Sequence, residues 1–106
     1  MTKASEAKAA AKGGVQDINA GATVSTPIKS AGALTVVRVK AVRSTDALNG
    51  VTLPEDASVG DVVEIYVEGY SGRVYAPDGQ LVASLGTSSG ALFRKIDDAS
   101  WRFIGH

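Results

Sequence analysis

The chain has 106 residues, which fits one domain and leaves too little chain for two independent hydrophobic cores. Hydrophobic residues make up 44% of it and charged residues 21%, so it is too apolar to be disordered, while its 12 glycines argue against a helical bundle. Because cysteine is absent, disulfides, thiolate metal sites and cysteine nucleophiles are excluded.

The formal net charge of zero conceals an uneven distribution along the chain. Residues 1–43 carry seven Lys or Arg against two acids, a balance of +5, whereas residues 44–106 carry four against nine, a balance of −5. These halves either attract each other between neighbouring copies or reflect a drift between exposed faces. We find neither a signal peptide nor the roughly 20 apolar residues that span a bilayer, so we expect synthesis in the cytoplasm and no membrane partner.

The first segment, Met1–Lys12, is rich in the helix formers Ala, Lys and Glu but has no apolar stripe. At about a dozen residues it is marginal as an isolated helix, and Gly13-Gly14 interrupts it. We interpret it as an arm that either stays disordered or becomes helical on a surface. The predicted organisation is an arm and transition segment over residues 1–33 and an antiparallel β-domain over residues 34–106.

The β-domain begins with a strand predicted over residues 34–43, in which aliphatic side chains alternate with Arg38 and Lys40. A short strand at 51–53 follows. In residues 61–68 three aliphatic side chains share one face, and Tyr66 shares the other with two glutamates. The residues expected to point inward are Val37, Val39, Ala41, Val63, Ile65 and Val67.

Further short strands are predicted at 73–76, 80–85, 91–96 and 100–104. Gly69-Tyr70-Ser71-Gly72 is interpreted as a hairpin connection, and Pro77-Asp78-Gly79 as a turn. Since nothing after Gly13 has a helical period long enough for a crossover between parallel strands, the prediction is an all-β fold. Its expected form is a small antiparallel β-sandwich or barrel that is jelly-roll-like. The sequence does not distinguish the sandwich from the barrel.

Residues that would carry catalysis are scarce. The one histidine is His106, at the end of the sequence, where a general base is poorly held. The adjacent carboxylates Glu55-Asp56 and Asp97-Asp98 point apart in extended or turn backbone, which favours turn-capping roles over a shared proton or a calcium site. The glycine-rich stretches lack the ending of a phosphate-binding loop. We predict no enzyme, no catalytic residues, no cofactor and no metal.

Cations cluster in the first 43 residues, a pattern that can indicate nucleic-acid binding. Only Arg38 and Lys40 among them alternate on a predicted strand, and no aromatic residue lies between them to stack on bases. A solvated strand face explains this pattern better, so no nucleic-acid partner is expected. Among the aromatics, Trp101 and Phe103 are predicted in the core, and Tyr66 is predicted exposed or at a subunit contact.

A succession of short motifs runs from about Leu34 to Ile104. Its members are Val51-Thr52-Leu53-Pro54, residues 57–66 (ASVGDVVEIY), Val74-Tyr75-Ala76-Pro77-Asp78-Gly79, Leu85-Gly86 and Trp101-Arg102-Phe103-Ile104. This order resembles a β-domain found in small virion proteins of tailed bacteriophages. It covers two thirds of the chain and leaves residues 1–33 outside.

The resemblance implies a component of the phage particle, and within that class the arm favours a capsid decoration or cement protein at the capsid surface. Such a protein binds the major capsid protein and is commonly a homo-oligomer, in particular a trimer. The residues expected to contact the coat lattice are Lys3, Lys8, Lys12, Val15 and Ile18. The alternative is a tail or head-fibre module involved in host adsorption.

Overall fold

The computed structural model of the chain describes residues 14–41 and 48–105. Within these ranges the chain is all-β, without a helix, and forms nine strands in two sheets. The strands are β1 (Val15–Asn19), β2 (Thr26–Pro27), β3 (Leu34–Lys40), β4 (Gly50–Thr52), β5 (Val62–Glu68), β6 (Gly72–Tyr75), β7 (Leu81–Leu85), β8 (Gly90–Asp97) and β9 (Ser100–Gly105). The predicted all-β class is therefore confirmed.

The larger sheet has the strand order β1-β3-β5-β8-β9, and the smaller sheet has the order β2-β4-β6-β7. Both sheets are open, with β1 and β9 as the edges of one and β2 and β7 as the edges of the other. The predicted alternative of a closed barrel is therefore wrong. From β1 to β6 the chain enters the two sheets in turn, so each strand of one sheet is followed by a strand of the other.

This alternation makes both sheets mixed, and it corrects the prediction of an antiparallel domain. β1 with β3, β3 with β5, β2 with β4 and β4 with β6 are parallel pairs. The pairs β5 with β8, β6 with β7 and β8 with β9 are antiparallel. Parallel neighbours need a crossover connection, which is usually a helix. Here a strand in the opposite sheet provides it, so the lack of helical periodicity did not exclude parallel pairing.

The hydrophobic core contains side chains from both sheets. Val37 and Val39 from β3 and Ile65 from β5 are at most 1% exposed, as the period-two pattern predicted. Val51 from β4 and Val74 from β6 join them from the smaller sheet. All six residues that we expected to point inward are buried.

Of the two predicted connections, the structure confirms the turn at 77–79 and contradicts the hairpin at 69–72. The turn at 77–79 joins β6 to β7 as a hairpin, with the Gly79 amide donating to the Ala76 carbonyl at 2.8 Å and Gly79 at a φ of 93°. The predicted hairpin at 69–72 is wrong, because β5 and β6 belong to different sheets. Gly69 turns the chain between them at a φ of 90°, and its carbonyl accepts a hydrogen bond from the Thr87 hydroxyl.

Two strands of the sheets lie in the predicted arm and transition segment, residues 1–33. β1 forms an edge of the larger sheet, and β2 forms an edge of the smaller one. The Gln16 side chain joins β1 to the segment that follows β2, since its amide donates to the Lys29 carbonyl and its amide oxygen accepts from the Lys29 backbone amide, both at 2.9 Å. The predicted strand end at Arg43 and the following turn fall in 42–47, outside the described residues.

Candidate interaction surface

The side of the larger sheet that faces away from the core, which we call the outer face, carries two aligned rows of side chains. One row crosses β3, β5, β8 and β9 through Leu34, Val62, Arg94 and Arg102, which are successive register partners. The next row crosses β1, β3, β5 and β8 through Val15, Val36, Glu64 and Leu92. Register partners project to the same side of a sheet, so these eight side chains form one surface.

Apolar side chains occupy much of the outer face. Val15 is 51% exposed and Leu34 is 38% exposed, while Val36, Val62 and Leu92 are half-buried. Tyr66, two residues beyond Glu64 on β5, is also exposed, as the sequence predicted. Apolar residues clustered on an exposed sheet face are typical of a surface that contacts another molecule.

Glu64 lies in the middle of these apolar side chains. Val36 and Leu92 are its register partners on the two neighbouring strands, and Val62 and Tyr66 flank it on β5. Arg94 and Arg102 are register partners of each other on β8 and β9. The described part of the chain provides no hydrogen bond or ion pair for any of these three charged side chains.

A charged pair on the outer face stabilises the edge strand β1. Arg38 on β3 donates to both carboxylate oxygens of Asp17 on β1, at 2.6 and 3.1 Å. This hydrogen bonding holds the pKa of the Asp17 carboxyl below its usual range and raises that of the Arg38 guanidinium. Both side chains are at least half exposed, so the pair orients β1 on its neighbour rather than forming a reactive site.

We also searched the described residues for a metal site, for the predicted turn-capping carboxylates and for a membrane-spanning helix. They contain no group of three His, Cys, Asp or Glu side chains able to hold a metal ion. Asp97 has the turn-capping role that the sequence predicted: it accepts from the Ala99 amide at 3.0 Å, and this bond lowers the pKa of its carboxyl. No helix among these residues is long and apolar enough to cross a lipid bilayer.

A depression of about 430 Å³ lies beside β9 and includes Gln80, Trp101 and Arg102 in its lining. Trp101 is buried, as predicted, and its Nε1–H has no hydrogen-bond partner in the described part of the chain. The expectation that Phe103 also lies in the core is wrong, because it is 41% exposed on the edge strand β9.

The five residues predicted to contact a coat lattice are separated by the structure. Lys3, Lys8 and Lys12 lie outside the described residues. Val15 is on β1 at the outer face, where it is available to a partner. Ile18 is half-buried and packs against the chain's own core, where its side chain stabilises β1 within the domain, and its contact with a coat lattice stays a prediction.

The outer face was not predicted as a contact surface. The available signal was the presence of aliphatic residues at outward positions of the alternating strands, namely Leu34, Val36 and Val62. A fully solvated face would carry polar residues at such positions. The sequence did not show that these residues form one patch, because that depends on which strands are neighbours in the sheet.

Comparison with known proteins yields a likeness of fold. No protein-family model matches the chain, and no curated protein matches it. A solved structure described as "Structure of a chaperone-substrate complex" superposes on 84% of this chain with a TM-score of 0.59 and 18% sequence identity. The chain spans 15% of the length of that protein. At this identity the likeness extends to the fold alone.

Proposed function

We propose that the chain is a structural component of a tailed-phage particle: a capsid decoration or cement protein that binds the outer head surface and bridges neighbouring coat subunits. The observation that carries the proposal is the outer face, where exposed and half-buried aliphatic side chains lie beside Glu64, Arg94 and Arg102, three charged side chains without a hydrogen bond or ion pair among the described residues. Protein–protein contacts combine these features. The resemblance of residues 34–104 to β-domains of phage virion proteins directs the choice of partner to the major capsid protein.

We infer that the two sheets pack in a sandwich-like arrangement, because one core cluster takes side chains from both. The jelly-roll-like form remains a prediction. A small rigid sandwich suits a protein that works by contact, since it presents a stable sheet face without needing a cavity or a moving lid.

The arm supports attachment to a lattice through its charge and its point of connection. The described chain begins at Gly14, directly before the edge strand β1, so residues 1–13 join the domain beside Val15 and the outer face. Lys3, Lys8 and Lys12 against Glu6 make this segment basic and complementary to an acidic coat surface. Several copies attached to one lattice would bind more tightly than a single copy, because each further contact is intramolecular.

The proposal is tested with purified chain and expanded, empty capsids of the phage concerned. We expect saturable binding, and deletion of residues 1–14 should weaken it at least about tenfold, through loss of electrostatic attraction and of one contact of a multivalent set. Lys12→Gln should weaken binding, whereas Lys29→Gln makes the same charge change at an exposed position in the β-domain and should have little effect.

Other outcomes separate the alternatives. Unchanged binding after the deletion would remove the arm from the mechanism while leaving the decoration function in place. Absence of saturable binding, with imaging of whole particles that locates the chain on the tail, would refute the decoration function and support the host-adsorption module instead.

A further inference from the structure

Glu64 and the pair Arg94–Arg102 set a requirement on whatever covers the outer face. A carboxylate covered by an apolar partner would lose its hydration without compensation, which is strongly unfavourable. The two arginines are direct cross-strand neighbours, an arrangement that is unfavourable unless an anion lies close to both. A partner must therefore bring a cation to Glu64 and a carboxylate to the arginines, together with apolar area between them.

We propose that this partner is a second copy of the chain, packed outer face to outer face. Glu64 of one copy then lies between Arg94 and Arg102 of the other. A second copy brings both required charges and the aliphatic side chains, because the same face carries all of them. Because both copies use the same surface, the contact has two-fold symmetry and closes as a dimer, in which the pairing occurs twice.

The size of the outer face is consistent with such a contact. The sheet is five strands wide, with neighbouring strands about 4.8 Å apart. Its length is set by the seven residues of β3 and β5, at about 3.3 Å per residue, so the projected area of the face is roughly 500 Å². A stable interface buries about 800 Å² of accessible surface on each partner, and protruding side chains raise the accessible area above the projected one. Self-association concerns the free chain, whereas in the proposed function the coat protein takes the place of the second copy on this face.

Charge reversal tests the proposal on the full chain by analytical ultracentrifugation over a range of concentrations. The wild-type chain should self-associate. Glu64→Arg places a third arginine beside Arg94 and Arg102 on each outer face, so it should weaken self-association at least about tenfold. Arg94→Glu combined with Arg102→Glu should do the same by making the face acidic. Glu55→Arg makes the same charge change as Glu64→Arg in an exposed turn outside the face and should leave association unchanged.

Mixing the variants gives the most specific result. The Glu64→Arg chain and the Arg94→Glu, Arg102→Glu chain should each be monomeric alone and form a mixed complex together, because their faces are now complementary. Circular dichroism of each variant checks that the all-β fold is retained, so a failure to mix is not attributed to unfolding.

The outcomes that overturn the proposal are distinct from those that bear on capsid binding. A wild-type chain that stays monomeric up to about 1 mM, or an oligomer that Glu64→Arg leaves intact, would refute self-association through this face. A monomeric chain that binds capsids and loses that binding in Glu64→Arg would assign the outer face to the coat protein. That result would overturn this inference while supporting the proposed function.

Discussion

Replacement of Phe93 by alanine tests whether β8 divides the molecule into a core side and a contact side. Phe93 is 0% exposed, and its ring centroid lies 5.7 Å from that of Phe103, with the planes at 59°. Truncating a buried phenylalanine costs about 3–5 kcal/mol. The ring pair accounts for about 0.5–1.5 kcal/mol of that loss. Domains of this size are stable by about 5–15 kcal/mol, so the expected loss is a large fraction of the total.

The free energy of unfolding is measured by urea titration, with the fluorescence of the buried Trp101 as the signal. The protein concentration is kept below the range in which copies associate, because association would add to the apparent stability. Leu92→Ala is the matched control, since Leu92 precedes Phe93 on β8 and lies half-buried on the outer face. It should cost less than about 1.5 kcal/mol in the monomer.

The assignment of the two faces predicts a clear order of effects. A cost for Leu92→Ala equal to that of Phe93→Ala, or a cost for Phe93→Ala below about 2 kcal/mol, would refute it. Leu92→Ala should nevertheless weaken self-association, because the removed side chain belongs to the apolar part of the proposed contact.

Two further predictions concern pH and backbone geometry. The hydrogen bond from Arg38 lowers the pKa of Asp17 in the folded state, so the ionised carboxylate stabilises the fold above about pH 4, the ordinary pKa of an aspartate. This stabilisation is lost as the pH falls below that range and the carboxyl becomes protonated in the folded state. Asp17→Asn should therefore reduce the acid-side slope of unfolding free energy against pH in urea titrations; equal slopes would contradict the assignment. At Gly21 an added Cβ would collide with the Val24 carbonyl oxygen, whereas at Gly86 its nearest neighbour lies at 3.5 Å. Gly21→Ala should lower the thermal unfolding midpoint well below that of Gly86→Ala, and similar midpoints would show that the loop after β1 is not so tightly closed.

Local patterns in the sequence were sufficient for the strands from β3 onwards and for the inner faces of β3 and β5. Val37 and Val39 on β3 and Ile65 on β5 were identified by alternation with polar neighbours, which depends on the residues of one strand alone. The turn at 77–79 was predicted for the same reason, since Pro, Asp and Gly each have a local backbone preference.

The partner of each strand was decided by the tertiary structure. Alternation of apolar and polar residues is the same in parallel and antiparallel sheets, so it carries no information on direction or order. For this reason the parallel pairs, the crossing at 69–72 and the membership of β1 in the larger sheet were not predicted.

For the arm and the outer face, too, some features follow from the sequence and others only from the tertiary structure. The sequence by itself determined that the first dozen residues are basic and predicted an all-β fold for residues 34–106, a class that the described residues confirm. Only the tertiary structure decided that Ile18 packs against the core, and that Glu64 lies among apolar side chains with Arg94 and Arg102 nearby. These residues are far apart along the chain and become neighbours through strand pairing, which depends on the packing of the whole domain rather than on any local pattern.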